Sequence, residues 1–152
     1  MKWLLSLLLI ICSAYCFAQN ENAIFERSKG KLDVPVKKYI RFLRSGPPST
    51  TEGLPYTSLK IYTSDSTDVK ALFDGKIIYV KSDTGRSIIL TKFGDYFIIY
   101  FELSACLLKD GDQIHRGQFL GHVTKDDNDE YCLSIQMSKK QQPLNPYSWI
   151  KW

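Results

Sequence analysis

The hydrophobic residues of this chain occur in short runs, many of them rich in β-branched and aromatic side chains. Turn signals separate the runs, at Asp74-Gly75, Asp83–Gly85, Phe93–Asp95 and Lys109–Asp112. Short runs at this spacing predict an all-β sandwich or barrel, and no stretch keeps a helical period, so helix is expected only near the ends. The predicted strands are Tyr39–Leu43, Leu59–Tyr62, Val69–Phe73, Lys76–Val80, Ser87–Thr91, Tyr96–Phe101, Gln118–Val123 and Tyr131–Met137.

Two of the segments between the runs have specific interpretations. Asp74-Gly75 lies between apolar runs, a setting that favours a tight hairpin turn with positive φ, with an irregular loop as the alternative. Gly46–Gly53 contains two prolines and several small polar residues, which predicts a loop.

The first residues differ from the rest of the chain. Met1–Ala18 has one charge, Lys2, followed by an apolar run too short to span a bilayer and a small residue at the end. This pattern predicts a signal peptide, residues 1–18, followed by a lead-in segment, 19–30, and one domain, 31–152. The protein is therefore expected to be exported, periplasmic or extracellular, with no stable membrane span after cleavage. A lipid on Cys16 is the alternative.

Composition is that of an ordinary globular protein. The chain has 152 residues, 24% of them charged and 44% hydrophobic. The net charge of +4 falls to +3 once Lys2 is removed with the leader, and no Lys/Arg block of the kind that binds nucleic acid is present. A nucleic-acid partner is therefore not expected.

Five segments carry glycine, aspartate and aromatic residues in a familiar order. They are Gly30–Val36, Thr67–Gly75, Ile88–Ser104, Leu108–Gly121 and Gln142–Pro146. Together they resemble the motifs of the M23, or LytM-type, metallopeptidase family, and the Gly-Asp…Gly-Gln…Gly pattern within Leu108–Gly121 is the most specific. The resemblance covers roughly residues 25 to 150 and implies a single LytM-like domain, an antiparallel β-sandwich.

The resemblance also implies a zinc hydrolase that cuts peptides of the bacterial cell wall, but the residues for that chemistry are replaced. The family's three zinc ligands, His, Asp and His, fall on Tyr56, Lys60 and Ser134. Its two assisting histidines fall on Glu102 and Cys132. A catalytic zinc needs three protein ligands and one open position, so no catalytic residue, metal ligand or cofactor is expected. The candidate groove comprises Tyr56, Lys60, Glu102, Cys132, Ser134 and Gln136.

A metal-free relative of these enzymes is similar to the LytM domains of murein hydrolase activators. The expected function is therefore binding or regulation, with peptidoglycan or a cell-wall hydrolase as the partner. The alternative is a divergent zinc metalloendopeptidase acting on peptidoglycan cross-links, with zinc held by Glu102, Cys132 and either His115 or His122. A structural envelope protein is a third interpretation.

Three further expectations concern the groove. Cys106 and Cys132 remain after leader removal, and a disulfide between them is expected because the family places their segments beside one groove; a nucleophilic role for Cys132 is the alternative. Lys60 and Glu102 are expected to face each other and able to pair. The acidic run Asp126–Glu130 is expected to be a solvated hairpin loop, because it lacks the ligand spacing of a calcium site.

Overall fold

A computed structural model describes residues 20–46 and 57–152 of the chain. Within them lie ten β-strands, a short helix at 20–26, here called α1, and a 3-10 turn at Pro146–Trp149. The strands are β1 (Tyr39–Ser45), β2 (Ser58–Thr63), β3 (Asp68–Lys70), β4 (Gly75–Asp83), β5 (Arg86–Phe93), β6 (Tyr96–Ser104), β7 (Gln113–Ile114), β8 (Phe119–Lys125), β9 (Tyr131–Lys139) and β10 (Gln142–Leu144). The strands pair in antiparallel fashion, which confirms the predicted all-β antiparallel fold.

Strand β9 is at the centre of the main sheet. It pairs with β2 on one side and with β6 on the other, and β1 extends the sheet beyond β2 while β5 and β4 extend it beyond β6. Strand β8 contacts the main sheet through only two residue pairs with β6 and two with β9. Its other partner is β3, with which it forms a separate antiparallel ribbon. The β3–β8 ribbon adds Val69 and Leu120 to the core that also contains Ile98 and Ile135 of the main sheet.

Alternation along the central strands gives the main sheet two different faces. On β9, Leu133, Ile135 and Met137 are buried, whereas Ser134 and Gln136 between them are half-exposed. On β6, Tyr100 is fully buried, and its hydroxyl accepts a hydrogen bond of 2.9 Å from the Leu72 N–H. One face of the sheet therefore lies on the core, and the opposite face presents polar side chains.

The prediction of a hairpin turn at Asp74-Gly75 is wrong. Strands β3 and β4 on either side of it do not pair with each other: β3 pairs with β8, and β4 pairs with β5 and β7. Glycine at position 75 allows the backbone of β4 to lie close to that of β5, because a Cβ atom there would be 2.7 Å from the carbonyl oxygen of Lys92. The tight turn with positive φ lies instead at Thr84 and Gly85, between β4 and β5.

Helix α1 is packed into the core through one aromatic residue. Phe25 is fully buried, and its ring stacks on Tyr96 with centroids 4.3 Å apart and lies 4.9 Å from the ring of Trp149. The Asn22 side chain accepts a hydrogen bond of 2.8 Å from the Asp95 N–H in the β5–β6 turn. This part of the predicted lead-in, 19–30, is thus integrated with the domain.

No helix among the residues that the structure describes is both long and apolar enough to cross a bilayer. The predicted leader, residues 1–18, lies outside the described residues, as do residues 47–53 of the predicted loop and Tyr56 of the candidate groove.

Candidate functional site

The open face of the main sheet carries a row of three residues from three neighbouring strands. Lys60 of β2 is opposite Ser134 of β9, and Ser134 is opposite Phe101 of β6. Side chains directly opposite each other on antiparallel strands share a face, so these three lie side by side. All three are half-exposed, as expected for the floor of a groove.

Two further rows flank this one. Tyr62 is opposite Cys132 on the side nearer the β8–β9 turn. Ser58 is opposite Gln136 on the other side. The hydroxyl oxygens of Ser58 and Ser134 are 3.3 Å apart and can share a hydrogen bond between rows. The floor therefore combines polar side chains, one lysine and the rings of Phe101 and Tyr62.

A pocket of about 230 Å³ lies on this floor. Its lining comprises Lys60, Arg86, Phe101, Glu102, Asp126, Asp127, Asn128, Cys132, Ser134 and Gln136. The structure thus brings together five of the six candidate groove residues, although they are far apart in the sequence. The sixth, Tyr56, lies outside the described residues.

Glu102 reaches this pocket because the backbone changes course at that residue. Its φ is +65°, in the left-handed region that residues other than glycine rarely adopt. Strand β6 pairs with β9 up to Phe101 and with β8 from Leu103 onward, so Glu102 lies where the strand changes partner. Backbone strain of this kind is concentrated at functional sites in proteins.

The expected pair between Lys60 and Glu102 is not the one that the structure contains. The Glu102 carboxylate instead lies 3.0 Å from the Arg86 guanidinium of β5, which also lies 3.6 Å from Asp127. Arg86 directly follows the turn at Thr84-Gly85, and this turn delivers it to the groove. Sequence reasoning missed Arg86 because no short-range pattern links it to Glu102.

The acidic β8–β9 turn closes one end of the groove. Asp126 accepts hydrogen bonds from the backbone N–H groups of Asn128 and Glu130. Burial raises the pKa of the Asp126 carboxyl, but these N–H groups and the charge of Lys60 lower it by more, so the pKa lies below its usual value. The turn is also tied to β1, because Arg41 binds Glu130 and stacks on the Tyr62 ring. The expected solvated loop is therefore part of the site.

The expected disulfide between Cys106 and Cys132 is not formed, and both cysteines are free thiols. Their surroundings are different. Cys132 is buried near Lys60 and Tyr62 on the floor of the groove, whereas Cys106 lies beyond the end of β6 beside Leu108. Burial raises the pKa of the Cys132 thiol to about 11, although the nearby charge of Lys60 lowers it in part. At neutral pH this thiol is protonated, which does not suit a nucleophile.

Neither histidine lies at the pocket. His115 is exposed and has its Nδ1 3.8 Å from Asp74, and His122 on β8 has its Nδ1 3.1 Å from Asp68. The zinc site of Glu102, Cys132 and a histidine is therefore not assembled. In the described residues, no group of three or more His, Cys, Asp or Glu side chains is placed to hold a metal ion. The residues at this site do not fit a catalytic zinc.

Comparison with known proteins gives one family. The sequence profile of peptidase family M23 matches residues 55–146, which include the whole of the open sheet face from β2 to β9. A comparison with curated proteins finds no match.

Solved structures of this family share the fold. Csd3 from Helicobacter pylori matches with a TM-score of 0.65 and 20% identity over 80% of this chain and 35% of its own. A variant of the catalytic domain of the prophage-encoded M23 protein EnpA from Enterococcus faecalis matches with a TM-score of 0.61 and 20% identity, over 76% of this chain and 95% of its own.

A structure of the SpoIIIAH and SpoIIQ complex matches with a TM-score of 0.63 and 14% identity, over 77% of this chain and 98% of the matched one. The present chain spans about a third of the length of the Helicobacter pylori protein. Since the family profile covers more than half of the chain and the fold agrees with it, the chain belongs to peptidase family M23.

Proposed function

We propose that this protein is an exported, non-catalytic M23 domain that binds cell-wall peptides, or a hydrolase that acts on them. The observation that carries the proposal is the composition of the groove. Lys60, Glu102, Cys132 and Ser134 line one pocket. The resemblance to the M23 motifs aligns these residues with the family's metal ligands and assisting histidines. These side chains form no set of zinc ligands.

The charge of Lys60 also opposes a metal ion at this position. A unit charge and a dication repel each other at short range, and the repulsion is stronger in a partly buried site than in water. Replacing a zinc-binding aspartate by lysine therefore removes a ligand and adds a repulsive charge. Neutral Ser134, at the second histidine position, supplies nothing that compensates for this.

The groove retains the features that a binding site needs. It is concave, and it presents lysine, serine and glutamine side chains that can form hydrogen bonds with a peptide. Phe101 contributes an apolar surface in the same pocket. A structural neighbour occurs in the complex of SpoIIIAH and SpoIIQ, which supports the idea that this fold can serve in association with another protein.

The test measures metal content, cleavage and binding on the same preparation of exported protein. We expect the protein to sediment with isolated peptidoglycan sacculi or to change the activity of a cell-wall amidase on them. We also expect it to release no soluble fragments from sacculi when zinc is added. About one zinc per chain, together with cleavage that stops on chelation, would instead establish the divergent metallopeptidase. Absence of any effect on sacculi or amidase would contradict the binding proposal.

A further inference from the structure

Among the residues that the structure describes, two cations line the pocket, Lys60 and Arg86, and they differ in their pairing. Arg86 is already neutralised by Glu102 at 3.0 Å and Asp127 at 3.6 Å. Lys60 lines the same pocket and its charge acts on the Asp126 carboxylate, but it forms no ion pair with another residue that the structure describes. The pocket floor therefore presents one positive charge that a bound anion can pair with.

Hydrogen-bond donors lie next to this charge. Ser134 is directly opposite Lys60, and its hydroxyl is 3.3 Å from that of Ser58 in the adjacent row. The Gln136 amide lines the same pocket. A lysine ammonium flanked by hydroxyl and amide N–H groups is the donor set that a carboxylate requires, since each carboxylate oxygen accepts more than one hydrogen bond.

The two ends of the groove differ in charge. Glu102, Asp126 and Asp127 lie at the end near the β8–β9 turn, where Arg86 balances only part of their charge. At the other end, a second pocket of about 230 Å³ shares Gln136 with the first and continues past Thr57 and Ile99 to Gln141 in the β9–β10 turn. An anionic group that enters from the uncharged end is attracted by Lys60 and repelled beyond it.

From this arrangement we infer that the groove binds the free carboxyl-terminal end of a peptide. The terminal carboxylate pairs with Lys60 and the adjoining serine hydroxyls, and the preceding residues extend past Gln136 toward the β9–β10 turn. This inference rests on the proposed function and specifies its ligand: a peptide that is already cut or unlinked at its end. The carbonyl oxygen of an internal peptide bond can accept a hydrogen bond from Lys60, but it has no charge with which the ammonium can form an ion pair.

The test compares two ligands that differ only in the terminal charge. The probes are diacetyl-L-Lys-D-Ala-D-Ala with a free carboxylate and the same peptide with a carboxamide, titrated into the protein by calorimetry. We expect the acid to bind at least about tenfold more tightly than the amide, as is typical of a charge-assisted hydrogen bond. We also expect the difference to shrink as ionic strength rises.

Variants locate the effect. In Lys60→Met the preference for the acid should disappear, and in Lys60→Arg most of it should remain. Lys70→Met is the matched control, because Lys70 is an exposed lysine on β3 that does not line the pocket, and its variant should keep the full preference. Circular dichroism of each variant establishes that it is folded.

Three outcomes would overturn the inference: equal binding of acid and amide, an acid preference that persists in Lys60→Met, or binding of neither probe. The sacculus and amidase assays described above distinguish this failure from failure of the proposed function. A protein that binds sacculi yet treats acid and amide alike retains the proposed function and loses only the terminal-carboxylate ligand.

Discussion

At the scale of single residues, Glu102 shows how the site is built at a cost in backbone energy. Its left-handed φ of +65° places its carboxylate between the floor of the groove and Arg86. An L-residue with a Cβ atom loses about 1 kcal/mol or more in this conformation, whereas glycine adopts it freely. A glutamate in this conformation is therefore not explained by stability, and it fits the proposed role of the groove in binding.

We accordingly expect Glu102→Gly to be more stable than Glu102→Ala, by about 1 kcal/mol, in urea unfolding. Both variants lose the half-buried contact with Arg86, so the difference isolates the backbone. Lys81 on β4 is the matched control, because it is an exposed strand residue outside the set with positive φ. There the order should reverse, with Lys81→Gly less stable than Lys81→Ala. Equal stabilities at position 102 would show that the conformation there is unstrained.

The candidate residues could be identified from the sequence to the extent that they lie on paired strands. Lys60, Cys132, Ser134 and Gln136 are predicted from the resemblance to the M23 motifs, and strand register explains why they share a face, since every second residue of a strand points the same way. Arg86 and Asp126 could not be found in this way. They reach the pocket from two different turns, and contacts between turns depend on how the whole sheet is assembled.

At the scale of elements, α1 is a short segment whose stability comes from the core. An isolated helix of this length is unstable in water, so its position depends on Phe25 and on the hydrogen bond between Asn22 and Asp95. Polar residues predominate in the segment despite Ala23 and Ile24, so the sequence predicts a lead-in segment and not a part of the core. The helix in turn covers Tyr96 at the start of β6, the strand that carries Phe101 and Glu102.

We expect Phe25→Ala to lower the free energy of unfolding by about 3–5 kcal/mol, the usual effect of removing a fully buried aromatic side chain. Ile24→Ala is the control, because Ile24 is the preceding apolar residue and is 43% exposed. Its substitution should change stability little, within about 0.5 kcal/mol. Chemical unfolding followed by tryptophan fluorescence reports both, since Trp149 contacts Phe25. A small loss at Phe25 would mean that α1 is not required by the domain.

The error at Asp74-Gly75 belongs to the same scale. The dipeptide is a good local signal for a hairpin, but a hairpin also requires that the flanking strands pair with each other. Here β3 and β4 find partners at greater sequence distance, in β8, β5 and β7. The local pattern predicts where the strands are, but it does not predict which strands pair. Register and pairing are decided by burial across the whole sheet.

At the scale of the whole molecule, fold and chemistry are separable. The antiparallel sheet and the groove on its open face are those of an M23 domain, while the groove contains an ion-pair network that includes Arg86, Glu102 and Asp127. The core depends on the buried face of the sheet, so changes on the open face alter the chemistry of the groove more than the fold. The same scaffold should then accept a metal if the ligands typical of the family are introduced.

We therefore expect the variant Tyr56→His, Lys60→Asp, Ser134→His to bind about one zinc per chain, measured by mass spectrometry of metals after gel filtration. Positions 60 and 134 are direct cross-strand partners, close enough for their side chains to share one ion. The control has alanine in place of histidine at position 56 and keeps the changes at positions 60 and 134. With two ligands in place of three, it should retain far less zinc. If the three-ligand variant is folded and binds no more zinc than this control, position 56 does not reach the floor where Lys60 and Ser134 lie. In that case the alignment of the first ligand with Tyr56 is wrong, whereas the groove that Lys60, Glu102, Cys132 and Ser134 form is unaffected.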